Sequence, residues 1–157
     1  MALSASARKV QEALQAYGLT CHVLELSETA RSAREAARAI GCRVEQIVKS
    51  LVFRSQQTHR PILVVASGGN RVNEQTLSAL VAEPIEKADA AFVRQQTGFA
   101  IGGVPPVGHA QRLATFIDED LLQYDQIWAA AGTPHAVFPL SPADLQRLTQ
   151  GQVVSIT

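Results

Sequence analysis

The sequence predicts an α+β domain built on a mixed sheet, and three observations carry that reading. Short β-branched, apolar runs and amphipathic helical runs are interleaved along the chain. Several of the strand-like runs follow one another directly, which suggests a mixed sheet rather than a purely parallel doubly wound one. No internal repeat or low-complexity linker divides the 157 residues, so 1–157 reads as one domain.

The elements follow in order. Val10, Leu14 and Tyr17 recur at helical spacing over Ser6 to Tyr17, and Gly18 stops that helix. His22 to Leu26 reads as a short strand. Ser32-Ala-Arg-Glu35 has the form of a capping box, and Gly41 closes the helix it opens. In that helix Ala33, Ala36, Ala37 and Ile40 form one face, and Arg31, Arg34 and Arg38 form another. Lys49 to Arg54 and Pro61 to Ser67 are apolar runs joined by the polar turn SQQTHR, which predicts paired central strands. Asn73 to Val81 predicts a helix, and Pro84 to Lys87 a short strand. Asp89 caps a helix over Ala90 to Thr97 that ends at Gly98. Strands are then expected at Phe99 to Ile101, Arg112 to Ile117, Gln126 to Ala130 and Ala136 to Pro139. Ser141-Pro142 opens a last helix closed by Gly151, and Val153 to Ile156 ends the chain as a strand.

Composition narrows the function classes. Hydrophobic residues make up 46% and charged residues 18%, within the globular range. No apolar run approaches the roughly 20 residues of a membrane helix, and the first residues lack the apolar block of a secretory signal, so a cytoplasmic location is expected. Formal net charge is zero, which argues against strong general affinity for nucleic acid, DNA included. The charge is unevenly placed: residues 1–60 hold nine Lys/Arg against five Asp/Glu, and residues 61–157 five against nine. The arginine stripe on the second helix is either a solvated face or a contact for phosphates.

His22, His59, His109 and His135 are far apart, and Cys21 and Cys42 belong to no CxxC pattern, so no metal site is expected and both thiols read as packing residues. GxSxG is absent. Gly103 to Gly108 has the glycine spacing of a P-loop, but His109 and Ala110 stand where Lys and Ser/Thr are required, and two prolines remove backbone donors.

Three segments could carry chemistry. Lys49-Ser50 opens an apolar strand, where a lysine is either half-buried for a purpose or snorkels at a strand end. Gly102-Gly103-Val104-Pro105-Pro106-Val107-Gly108 combines bare backbone with stiffness, as a pocket wall or a plain turn would. Gly132-Thr133-Pro134-His135 offers a hydroxyl and an imidazole, though a lone histidine is more often structural.

Together IVKSLVF, TGFAIGGVPPVGH, AAGTPHAVF and SPADLQRLTQGQVV resemble the YbaK / prolyl-tRNA-synthetase-associated family from about Ala7 to the end. The resemblance implies a strongly curved, barrel-like mixed sheet with surrounding helices. It implies hydrolysis, in trans, of the ester on a mischarged tRNA, without a cofactor. The small amino acid would be Ala, Cys, Ser or 2-aminobutyrate on tRNA-Pro, and prolyl-tRNA synthetase an associated partner. Lys49 matches the family's functional lysine. Ser50, Gly102, Gly103, Val104, Pro105, Gly108, Gly132, Thr133 and His135 match segments lining its pocket, and Arg31, Arg34 and Arg38 would hold the acceptor stem. Ser50 stands where alanine-specific members have Asn, and position 105 is Pro where cysteine-specific members tend to differ. A non-catalytic module binding an aminoacyl-adenylate-like molecule is the rival reading.

Overall fold

A computed structural model describes residues 3–26 and 32–157. Five helices, α1 (Ala5–Ala16), α2 (Ala33–Ile40), α3 (Glu74–Val81), α4 (Ala90–Thr97) and α5 (Pro142–Thr149), surround eight strands. The strands are β1 (Leu24–Glu25), β2 (Ile47–Ser55), β3 (Pro61–Ser67), β4 (Ile85–Lys87), β5 (Ala114–Asp118), β6 (Ile127–Ala130), β7 (Ala136–Leu140) and β8 (Gln152–Val154).

The helices start where short polar side chains cap them. Ser4, Ser32, Asp89 and Ser141 each accept an N–H from the first turn of the helix that follows, and Asn73 accepts two. Gly41 and Gly98 end α2 and α4 in the left-handed conformation.

All eight strands form one mixed sheet in the order β1-β7-β6-β2-β3-β5-β8, with β4 added to β2. The fold is therefore α+β, and the sheet is open: β1 and β8 stand at its two ends. β2 pairs antiparallel with β3 along Val48 to Arg54, and β3 lies parallel to β5, as does β5 to β8. One face of β2 and β3 (Val48, Val52, Leu63, Val65) packs with α1, α5 and Phe138 in the main core. The other face (Phe53, Ile62, Val64, Ala66) packs on Leu77 of α3. The alanine face of α2 covers Ile47 and Trp128.

Several elements differ from the sequence reading: β1 keeps only Leu24 and Glu25 of the expected His22 to Leu26, and β5 runs from Ala114 to Asp118 rather than from Arg112 to Ile117. β2 begins at Ile47, before Lys49, because Ile47 and Val48 pair with Trp128 and Ala129 of β6. β8 ends at Val154, short of the expected Ile156. Phe99 to Ile101 forms no strand. The Thr97 hydroxyl donates to the Val93 carbonyl at 2.7 Å and accepts the Phe99 N–H at 3.0 Å, so a side chain occupies the backbone group that a strand partner would take.

Candidate functional site

β2 has a gap on one edge. Away from β3, Ile47 and Val48 pair with β6 and Phe53 to Ser55 pair with β4, leaving Lys49 to Val52 with no strand opposite. In an antiparallel pair, successive residues direct their peptide groups to opposite edges. The Ile47 carbonyl accepts from Gly68 and the Ser55 N–H donates to Arg60, so the odd-numbered residues face β3. Ser50 and Val52 thus face the gap. The Val52 carbonyl is taken by the Ala88 N–H at 3.3 Å, whereas no turn or loop group bonds the Ser50 backbone among the described residues, and Ser50 borders the space beside it.

That space is a cavity of about 470 Å³, lined by the five consecutive residues Lys49 to Phe53 and, across from them, by Val93, Ile101, Gly102 and Val104. Its size is that of a small-molecule site. Arg71, Glu74 and Lys87 stand on its walls, so three cations face one carboxylate.

Lys49 also borders a smaller cavity of about 210 Å³ with Ser32, Ala33 and Ala36 of α2 and with Pro134. Its ammonium donates to the Asn70 carbonyl at 2.5 Å. Burial lowers its pKa, the neighbouring Arg71 lowers it further, and Asp118 pulls it back up. The Ser50 hydroxyl, on the opposite face of the strand, is buried without a hydrogen-bond partner among the described residues, and so is that of Thr133.

The loop after α4 faces β2 because two glycines let chains touch. Gly102 has φ +93°, and a Cβ there would lie 3.9 Å from Pro134. A Cβ on Gly103 would lie 2.8 Å from the Gly132 carbonyl group, and one on Gly132 would lie 2.8 Å from the Ser6 oxygen. The Gly132 N–H donates to the Gly103 carbonyl at 2.9 Å, and the Gly103 N–H to Ala100 at 3.1 Å. Gly102 and Val104 therefore face the cavity, while Gly103 and Gly132 lock the loop to the β6–β7 turn.

The remaining residues singled out in the sequence lie farther out. Pro105 is buried, and its carbonyl meets His109 Nε2 at 2.6 Å. Gly108 and His109 line a separate cavity of about 480 Å³ between α1 and α5. His135 faces Glu25 at 3.6 Å and lines neither of the cavities beside Lys49. Arg34 and Arg38 are exposed on α2, whereas Arg31 lies outside the described residues. Among the described residues no three His, Cys, Asp or Glu side chains converge as metal ligands, and Cys21 and Cys42 are free thiols. No described helix is long and apolar enough to cross a membrane.

Sequence reasoning missed Arg71, Lys87 and Asn70. SGGN does mark a tight turn after an apolar strand, and a turn there must lie beside the residue the strand pairs with.

The fold is an α+β domain whose central strand borders a cavity holding three cationic side chains and one carboxylate. The sequence pattern of the aminoacyl-tRNA editing domain matches residues 27–148, and the chain belongs to that family. A solved structure described as a "putative trans-editing enzyme for prolyl tRNA synthetase" is 47% identical, with a TM-score of 0.94 over 99% of each chain. The "Putative Cys-tRNA(Pro)/Cys-tRNA(Cys) deacylase EbsC" of Enterococcus faecalis is 29% identical over 132 residues, covering 83% of this chain and 80% of its own. "Uncharacterized protein YwhH" of Bacillus subtilis is 28% identical over 131 residues, 83% of each chain.

Proposed function

We propose that this editing domain is an aminoacyl-tRNA deacylase acting in trans on tRNA-Pro carrying a small amino acid: Ala, Cys, Ser or 2-aminobutyrate. The observation that carries the reading is the pairing of Lys49 and Gly102 across one cavity at the unpaired edge of β2. The similarity to a protein named for Cys-tRNA deacylation and to one named for prolyl trans-editing supports the substrate class.

The chemistry asks little of the protein. Water attacks the ester carbonyl, the bond to the terminal ribose oxygen breaks, and a proton returns to that oxygen, giving free amino acid and intact tRNA. An ester needs no protein nucleophile. It needs orientation and donors for the oxyanion that develops. The Lys49 ammonium and the outward Ser50 N–H supply donors on one wall, and Gly102 allows close approach from the other. Arg71 and Lys87 offer charge to the terminal phosphates. The buried Ser50 hydroxyl, on the face shared with Val52, is a partner for a polar group of the bound residue. Gly132 supports the far wall from behind by holding Gly103, Pro134 borders the smaller cavity beside Lys49, and Arg34 and Arg38 lie where an acceptor stem entering beside α2 would pass. Selection is by size: a synthetase separates residues differing by one methylene by only about 1–3 kcal/mol, and a second, smaller pocket removes the errors.

The test is deacylation of Ala-, Cys-, Ser- and 2-aminobutyryl-tRNA-Pro by the wild-type chain and by Lys49→Ala. Release of at least one amino acid is expected, with a loss of about 10²–10³ in kcat for the variant, the usual effect of removing an oxyanion donor. Tight binding without release on every substrate would instead make the domain a non-catalytic binding module.

A further inference from the structure

We propose that Asp118, acting through Asn70, is the positioning residue that fixes the Lys49 ammonium in the cavity. The inference rests on the deacylase reading for its consequence in catalysis, but the contact itself can be measured without it.

Asp118 ends β5 and is 1% exposed. Buried carboxylates are rare unless matched by a partner, yet no Lys, Arg or His lies within ion-pair distance of this one among the described residues. Its partners are hydrogen-bond donors instead. Oδ2 accepts the Ser67 N–H at 3.0 Å and Asn70 Nδ2 at 2.8 Å, and Oδ1 accepts the Asp120 N–H at 3.0 Å. Asn70 Nδ2 also reaches Asp120 Oδ2 at 2.7 Å. The amide side chain of Asn70 is thus clamped between two carboxylates.

The clamp sets the direction of the neighbouring carbonyl. The Asn70 N–H donates to the Ser67 carbonyl at 2.9 Å, and its own C=O points at Lys49 Nζ, 2.5 Å away. The turn that delivers Asn70 is itself seated by Gly68, where a Cβ would fall 2.4 Å from the Val44 carbonyl oxygen. A flexible four-carbon side chain on an open strand edge has several rotamers. A single well-aimed acceptor selects one of them, and the carboxylate behind it favours the charged form. The other charges facing Lys49 are Arg71, which opposes it, and Glu74 and Lys87 on the cavity walls, with Asp120 behind Asn70.

The experiment compares wild type, Asn70→Ala and Asp118→Asn. The Lys49 ε-carbon is followed by NMR in lysine-labelled protein, its resonance assigned by its loss in Lys49→Arg. Both variants are expected to titrate at lower pH than wild type. In deacylation, Asn70→Ala is expected to lose about 10- to 100-fold in kcat, the scale of a misplaced catalytic group, with KM changed by no more than about twofold. An unchanged midpoint, or full kcat in Asn70→Ala, overturns the proposal. Asn70 sits in a partly exposed turn, so its variant decides the matter if Asp118→Asn does not fold. Should wild type release no amino acid, the deacylase reading falls, and the titration still decides whether Asp118 and Asn70 hold the lysine.

Discussion

The amide of Gly132 donates to the carbonyl of Gly103 at 2.9 Å, and a Cβ on Gly103 would press on the Gly132 backbone at 2.8 Å, while one on Gly132 would press on Ser6 of α1 at the same distance. Two loops far apart in sequence are joined where neither tolerates a side chain. Gly103→Ala should therefore destabilise the fold by about 1–3 kcal/mol, as overpacking does, and displace Gly102 from the cavity. Urea denaturation checks the first effect, and deacylation at a temperature where the variant remains folded checks the second.

Lys49 predicts a pH dependence with a definite sign. Burial and Arg71 hold its pKa below the ordinary 10.5, so the ammonium is lost at a lower pH than an exposed lysine would lose it. Catalysed deacylation, after subtraction of the spontaneous rate, should decline along an alkaline limb set by this group. Removing the opposing charge in Arg71→Ala raises the lysine's pKa and should move that limb to higher pH. A limb that stays in place in Arg71→Ala would separate the activity from Lys49.

His109 makes stability fall on mild acidification. Burial is the main cause of its lowered pKa, Lys9 adds to it, and the bond to the Pro105 carbonyl opposes both. The unfolded chain therefore takes up the proton first, near the ordinary 6.5. Stability is complete above that value and declines as pH falls toward the folded pKa. His109→Gln should flatten the decline in thermal melts taken between about pH 7 and pH 5, a window that starts above the free imidazole's value and runs toward the lowered one.

The exposed arginines of α2 predict a salt effect. If Arg34 and Arg38 meet phosphates, tRNA affinity falls linearly on a log–log salt plot. The double variant to Gln should reduce the slope by about 0.7–0.9 for each contact removed. Binding measured across a salt series, with uncharged amino acid chemistry held constant, reads this directly.

The helices and their caps were legible because each signal is local: Ser32, Asp89 and Ser141 act on residues three positions away. Lys49 and the glycine loop were legible as unusual residues at a strand start and in a rigid turn. The gap in β2 was not, since it depends on where β4 and β6 stop pairing rather than on any residue of β2. Asn70 and Asp118 are 48 positions apart and meet only through the parallel pairing of β3 with β5. Phe99 to Ile101 misled because an apolar triplet after a glycine looks like a strand, while the deciding group was the hydroxyl of Thr97.

The missing rungs of β2 have a consequence for how such a domain diversifies. One side of the cavity is the middle of the sheet and cannot be reshaped without undoing the fold. The opposing side joins Val93 of α4 to the short irregular chain after it, with Ile101 57% exposed at its tip. A substitution at Ile101, unlike one at buried Val104 or at locked Gly103, can resize the chamber at little structural cost, so preference for one amino acid over another is free to drift there while the lysine-bearing floor stays the same.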